Sequence, residues 1–97
     1  MFDVIKLLDS TSGGIRRASF RTCDAVCSTQ IDIELQDDIV LRVRYTGGCN
    51  GNTQGVASLC AGLPRAEVIT RLRGIDCKGR GTSCPDQLAR ALEQLEP

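Results

Sequence analysis

The residues able to do chemistry in this chain are its cysteines: six in 97 residues, with no histidine. The missing histidine excludes Cys–His and Ser–His–Asp catalysis and any imidazole ligand, so metal binding must rest on Cys, Asp, Glu or backbone. Cys49 sits in Tyr45-Thr46-Gly47-Gly48-Cys49-Asn50-Gly51-Asn52-Thr53-Gln54-Gly55. This pattern predicts a strand running into a Gly/Asn-rich turn and then a helix, with glycine and asparagine supplying left-handed backbone angles. Free N–H groups at a helix start favour negative charge, and hence a thiolate at Cys49. The same turn reads equally as a plain strand–helix connection with a buried cysteine. As a phosphate-binding turn it would use Asn50 and Asn52, though it lacks the Lys-Ser/Thr ending of a P-loop.

Cys84 occupies a similar place in Thr82-Ser83-Cys84-Pro85-Asp86, at the start of a further helix, with Lys78 and Arg80 nearby. Helix dipole and cations both favour its thiolate. Pro85 and Asp86 would serve to start the helix, and Asp86 could also act as a ligand or as an acceptor behind one. Cys77 lies in a Gly-flanked loop, and Cys23 and Cys27 flank the turn after an early strand. Cys-x-x-x-Cys spacing can serve one metal, but no Cys-x-x-Cys pair occurs, so thioredoxin-like chemistry is not indicated. Cys60 falls on the apolar side of a helix and reads as core. Two thiolates at two helix starts repel unless a cation lies between them. A tetrahedral thiolate site suits zinc or an iron–sulfur unit, and such a site would also staple a small domain.

The elements that must position these groups follow from the apolar pattern. Phe2, Ile5 and Leu8 at three-residue spacing suggest a short amphipathic helix, and Ser10-Thr11-Ser12-Gly13-Gly14 a flexible linker. Residues 1–14 thus read as an N-terminal extension and linker, and 15–97 as one domain. Residues 16–23, Gln30–Leu35 and Ile39–Thr46 read as strands. In the last of these Ile39, Leu41, Val43 and Tyr45 share one face and Arg42 and Arg44 the other, with Asp37-Asp38 as a hairpin turn. Helices are expected from Asn52 or Thr53 to about Ala61 (Val56, Leu59 and Cys60 inward), from Pro64 to Gly74 (Val68, Ile69 and Leu72), and from Ser83–Pro85 onward (Leu88, Leu92 and Leu95). Ser83 and Asp86 fit a capping box. The fold class is therefore α+β: a three-stranded antiparallel sheet followed by about three helices packed on one face.

Composition narrows the partners. Lys+Arg and Asp+Glu balance at 12 each, and aromatic residues make up 3% with no Trp. No basic field attracts nucleic acid or an anionic membrane, and stacking platforms are lacking. The first nine residues carry Asp and Lys within their apolar stretch and do not read as a signal peptide. No stretch approaches a membrane span of about 20 apolar residues. These features point to a reduced, cytoplasmic protein rather than a secreted disulfide scaffold.

The motifs Val26-Cys27-Ser28, Gly47-Gly48-Cys49-Asn50-Gly51-Asn52, Gln54-Gly55, Gly74-Ile75-Asp76-Cys77 and Thr82-Ser83-Cys84-Pro85-Asp86-Gln87-Leu88-Ala89 together resemble the TSCPD-domain family over about residues 20–92. The resemblance implies that Cys27, Cys49, Cys77 and Cys84 form the shared cysteine set, with Cys23 and Cys60 outside it. Related domains are appended to vitamin B12-dependent ribonucleotide reductases, so a ribonucleoside-diphosphate reductase label attaches to free-standing members. A chain this short has no room for that enzyme's barrel. The role implied is accessory, as a regulator, metal site or thiol donor to the reductase. The order of strands, helices and cysteines also resembles, more faintly, the NifU/IscU iron–sulfur scaffold family. There Cys27, Cys49 and Cys84 would be the three cysteines and Cys77 would stand near the fourth ligand position, but the usual aspartate just beyond the first cysteine and any histidine are missing. Three functions are thus expected in order. The first is a zinc or iron–sulfur module on Cys27, Cys49, Cys77 and Cys84. The second is dithiol or sulfur-transfer chemistry on Cys49 and Cys84 with a protein partner. The third is a nucleotide-binding regulatory module using Asn50, Asn52 and Asp86. Oligomeric state is not legible.

Overall fold

Alternating apolar and polar residues place every second side chain on the same face of a strand, and three such runs supply the buried face of the sheet. The computed structural model describes residues 2–48 and 50–95. Its strands are β1 (Ile5–Ser12), β2 (Ile15–Arg21), β3 (Ser28–Gln36) and β4 (Ile39–Gly47), joined antiparallel in the order β1-β2-β3-β4. The helices α1 (Asn50–Cys60), α2 (Arg65–Leu72) and α3 (Cys84–Glu93) follow. The α+β layout of strands followed by helices stands, with four strands in the sheet instead of three.

The added strand is β1, where the spacing of Phe2, Ile5 and Leu8 had suggested a helix. Residues 10–12 continue the strand, and Gly13-Gly14 are its turn rather than a linker. Both glycines are left-handed (φ +60° and +80°), as a two-residue hairpin matching the strand twist requires. Every residue of β1 is exposed, so no alternation marks it in the sequence. It lies at the sheet edge, and Lys6 faces Phe20 while Leu8 faces Ser19, leaving Leu7 as a bulge. Bulges blunt exposed edges against unwanted pairing.

Ala18 and Phe20 of β2, Ile31, Ile33 and Leu35 of β3, and Val40 and Val43 of β4 form one buried cluster with Cys60, Val68, Leu88, Ala91, Leu92 and Leu95 from the helical half. Full burial of each large aliphatic or aromatic side chain contributes about 1.5–3 kcal/mol. Strand β4 departs from simple alternation. The register slips between Glu34 and Leu35, so that Val40 faces Leu35 and Arg42 faces Glu34. Leu41 is the extra residue and is exposed, while Val40 takes the inward place. Leu59 is also exposed, at 78%, although its helix was expected to turn it inward. Thr53, Val56, Ala57 and Cys60 follow the 3.6-residue period on the sheet side of α1, and Leu59 falls on the opposite side.

The β3–β4 turn uses Asp37 (φ 51°) and Asp38 (φ 64°), both left-handed without being glycine. Arg65 holds it in place. The Arg65 backbone N–H donates to the Asp38 carbonyl at 2.8 Å, its Nε to Asp38 Oδ1 at 2.8 Å, and its Nη1 to the Leu92 carbonyl at 3.0 Å. One side chain thus ties the turn, the start of α2 and the end of α3. No described helix is long and apolar enough to cross a membrane.

Candidate cysteine cleft

Helix α3 begins where the TSCPD motif says it should. Ser83 is its N-cap, accepting from the Asp86 N–H at 3.1 Å, with Pro85 in the first turn. This is half of a capping box. The Asp86 carboxylate does not return to the cap and instead turns into the protein. It is 1% exposed and accepts from Thr82 Oγ1 at 2.6 Å, the Gly74 N–H at 2.7 Å, Arg90 Nε at 2.8 Å and Arg73 Nη1 at 3.4 Å. Burial alone would raise its pKa, but the bonds from Thr82, Gly74 and Arg90, with the Arg90 charge, outweigh that and hold the carboxyl below the usual range.

Gln87, the next residue, is fully buried and bridges three segments. Its Nε2 donates to the Phe2 carbonyl at 2.7 Å and to Thr82 Oγ1 at 3.0 Å, and its Oε1 accepts from the Cys23 N–H at 2.9 Å. Thr82, Asp86 and Gln87 therefore form a satisfied polar layer, consistent with the rule that buried polar groups find partners. It joins α3 to the N-terminal segment, the β2–β3 loop and the 74–83 loop. None of this pairing is visible in the sequence, where only the unbroken run Thr82–Gln87 marks it.

Above this layer lies a cleft of about 240 Å³ lined by Cys27, Cys77 and Cys84, with Asn52, Asp76, Arg80 and apolar Val26, Ile75 and Pro85 around them. Cys27 arrives from the β2–β3 loop, and Cys77 and Cys84 from the 74–83 loop and the first residue of α3 that follows it, so two regions distant in sequence meet here. The Cys84 Sγ lies 3.2 Å from Ser28 Oγ, and its carbonyl accepts from the Tyr45 hydroxyl at 2.9 Å. Burial pushes that phenol far above its ordinary pKa, with a smaller push from the Cys84 charge. Arg80 extends across the cleft to Cys27, its Nη1 3.9 Å from Cys27 Sγ and 3.4 Å from the Ala25 carbonyl. The sequence associates Arg80 with Cys84; the fold sets it against Cys27. The Asp76 carboxylate accepts from the Gly79 and Gly81 N–H groups, so it organises its own loop.

Cys49 lies outside the described residues, as does the side chain of Asn50. The cleft wall includes one described residue from the same turn. Asn52 lines it, and Gly48 packs so closely on the β2–β3 segment that a Cβ there would stand 3.3 Å from the Ser28 nitrogen and 3.2 Å from Thr53 Cγ2. Asp86, a candidate ligand from sequence, does not line the cleft. Cys23 is half-buried outside it, and Cys60 is core at 4% exposure, with burial raising its thiol pKa. Among the described residues, no three Cys, Asp or Glu side chains stand close enough together to hold a metal ion. In kind, the thiols fit a soft metal. Coordination by three or more protein ligands would need Cys49 as a donor or an inward movement of the exposed 74–83 loop.

Comparison with known proteins follows the geometry. Neither the curated proteins nor the solved structures yield a match to this chain. The sequence model of the TSCPD domain matches residues 5–96, nearly the whole chain and including β1. The chain therefore belongs to the TSCPD domain family.

Proposed function

We propose that this domain is a small binding module whose cleft gathers Cys27, Cys49, Cys77 and Cys84 around one zinc ion or iron–sulfur unit. The observation that carries this reading is the meeting of Cys27 with Cys77 and Cys84 in one cleft, with Asn52, three residues beyond Cys49 in the sequence, also in its lining. A bound metal would supply fixed positive charge among the thiolates and a cross-link between loops. The protein's own part is to deliver the sulfurs from segments held by the Thr82–Asp86–Gln87 layer. The Ser28 hydroxyl and the Arg80 guanidinium add polar contacts to Cys84 and Cys27. The module is not an enzyme by itself in this reading. The family's link to B12-dependent ribonucleotide reductase makes that enzyme the first protein partner to examine, with an iron–sulfur or sulfur-transfer protein as the other.

The test is elemental analysis and absorption spectroscopy of protein purified without oxygen, for the wild type and for Cys27→Ser, Cys49→Ser, Cys77→Ser and Cys84→Ser. Stoichiometric zinc without colour, or iron with sulfide and visible absorption, lost in the single variants, supports the module. Full metal content in all four variants overturns it. A metal-free protein with a reversible Cys49–Cys84 disulfide would support dithiol chemistry instead.

A further inference from the structure

The 74–83 loop carries Cys77 and Arg80 and delivers the chain to Cys84, so its shape decides how the cleft is built. Its two ends are joined at one place. The buried Asp86 carboxylate binds the Gly74 N–H at the start of the loop and the Thr82 hydroxyl at its end. Ser83 Oγ adds a bond to the Ile75 carbonyl at 2.7 Å, and the Cys77 N–H reaches the Thr82 carbonyl at 3.1 Å. Between these anchors the loop is exposed and turns through left-handed Lys78, Gly79 and Gly81. It buries no large side chain of its own, so polar contacts carry its conformation, Asp76 within the loop and Asp86 at its neck.

We propose that Asp86 is the positioning residue of the cysteine cleft. Its carboxylate closes the neck of the 74–83 loop and so sets where Cys77 and Cys84 stand relative to each other and to Cys27. Asp86 touches neither sulfur and acts through Gly74 and Thr82. This deepens the thiolate-site reading, and its metal readout rests on that reading, whereas its labelling readout does not.

The experiment compares wild type with Asp86→Asn, Thr82→Val and Thr82→Ser, and with Val68→Ala as a core substitution outside the loop. In the metal-free protein, iodoacetamide labelling of Cys84 is followed by peptide mass spectrometry beside that of Cys60, which reports the core. Cobalt(II) affinity is measured by optical titration. Opening the neck should raise Cys84 labelling about tenfold with Cys60 still protected, in both Asp86→Asn and Thr82→Val. Cobalt binding should weaken about 10–100-fold in the same two variants, the usual effect of losing a group that orients ligands. Thr82→Ser, which keeps the hydroxyl, and Val68→Ala should stay near wild type in both readouts. Cys84 labelling that is unchanged, or that rises only in step with Cys60, overturns the proposal. Failure of the wild type to bind cobalt counts against the metal reading alone, and the Cys84-to-Cys60 labelling ratio still decides the role of Asp86.

Discussion

Replacing Gly81 by alanine tests how the N-terminal segment and the cysteine-bearing loop hold each other. Gly81 has φ +90°, and a Cβ there would stand 2.7 and 2.8 Å from the Phe2 ring. The backbone angle alone costs an L-residue about 1–2 kcal/mol. The ring must also swing away. It then leaves the Arg90 guanidinium, 5.9 Å from its centroid, a contact of about 0.5–1 kcal/mol. Its lost partial burial adds about 1 kcal/mol. Gly81→Ala should therefore destabilise the domain by about 3 kcal/mol. In a Phe2→Ala background the space is vacant and only the backbone strain of about 1–2 kcal/mol remains. Urea unfolding of the four proteins of this cycle gives the coupling, expected near 1.5 kcal/mol. Additivity within about 0.5 kcal/mol would refute the packing argument, since the ring would then not be what opposes the added methyl.

Three further outcomes are expected. Gly48→Ala, at φ +88° and pressed on the Ser28 backbone, should cost about 2 kcal/mol in urea unfolding and also lower cobalt affinity. Asp37→Gly should leave the thermal midpoint within a few degrees of wild type, because relief of the left-handed aspartate offsets the added freedom of the unfolded chain. Asp37→Val should lower it by about 4–8 °C or more. Arg16 foremost, and Lys6 after it, hold the Asp9 carboxyl down at about 2 from its ordinary 3.8. Because the folded-state value is the lower one, this stabilisation is complete above about pH 4 and disappears as pH falls toward 2. Solvent screening on this exposed hairpin limits it to about 1 kcal/mol or less. Asp9→Asn should flatten the wild-type decline in stability across that window, and a carboxyl titration by NMR should give the low midpoint directly.

Much of this fold follows from local pattern. Ile31, Ile33 and Leu35 alternate over a half-buried strand, Leu88, Leu92 and Leu95 recur at helical spacing, and the Ser83 cap and Pro85 mark the start of α3. These elements are specified by residues close together in the chain. Strand β1 was not legible because an edge strand with both faces exposed carries no alternation. Leu41 misled because a bulge displaces the phase by one residue. Leu59 misled because an apolar residue need not be inside.

The cysteine site divides along the same line. The sequence by itself marked the thiols as the candidate site, because six cysteines and no histidine make Cys the main soft donor. It also set Cys84 at a helix start, through the Ser-Cys-Pro order that begins α3. Cys60, on the apolar side of its helix, was legible as core and is buried, whereas only the tertiary structure decided which thiols share a cleft. It turned Asp86 away from the sulfurs to close a loop, and it moved Arg80 from Cys84 to Cys27. The physical reason is that capping and periodicity act over a few residues. Contacts such as Asp86 with Gly74, Gln87 with Cys23 and Phe2, and Arg80 with Cys27 exist only after packing of the sheet and helices has brought distant segments within hydrogen-bond reach.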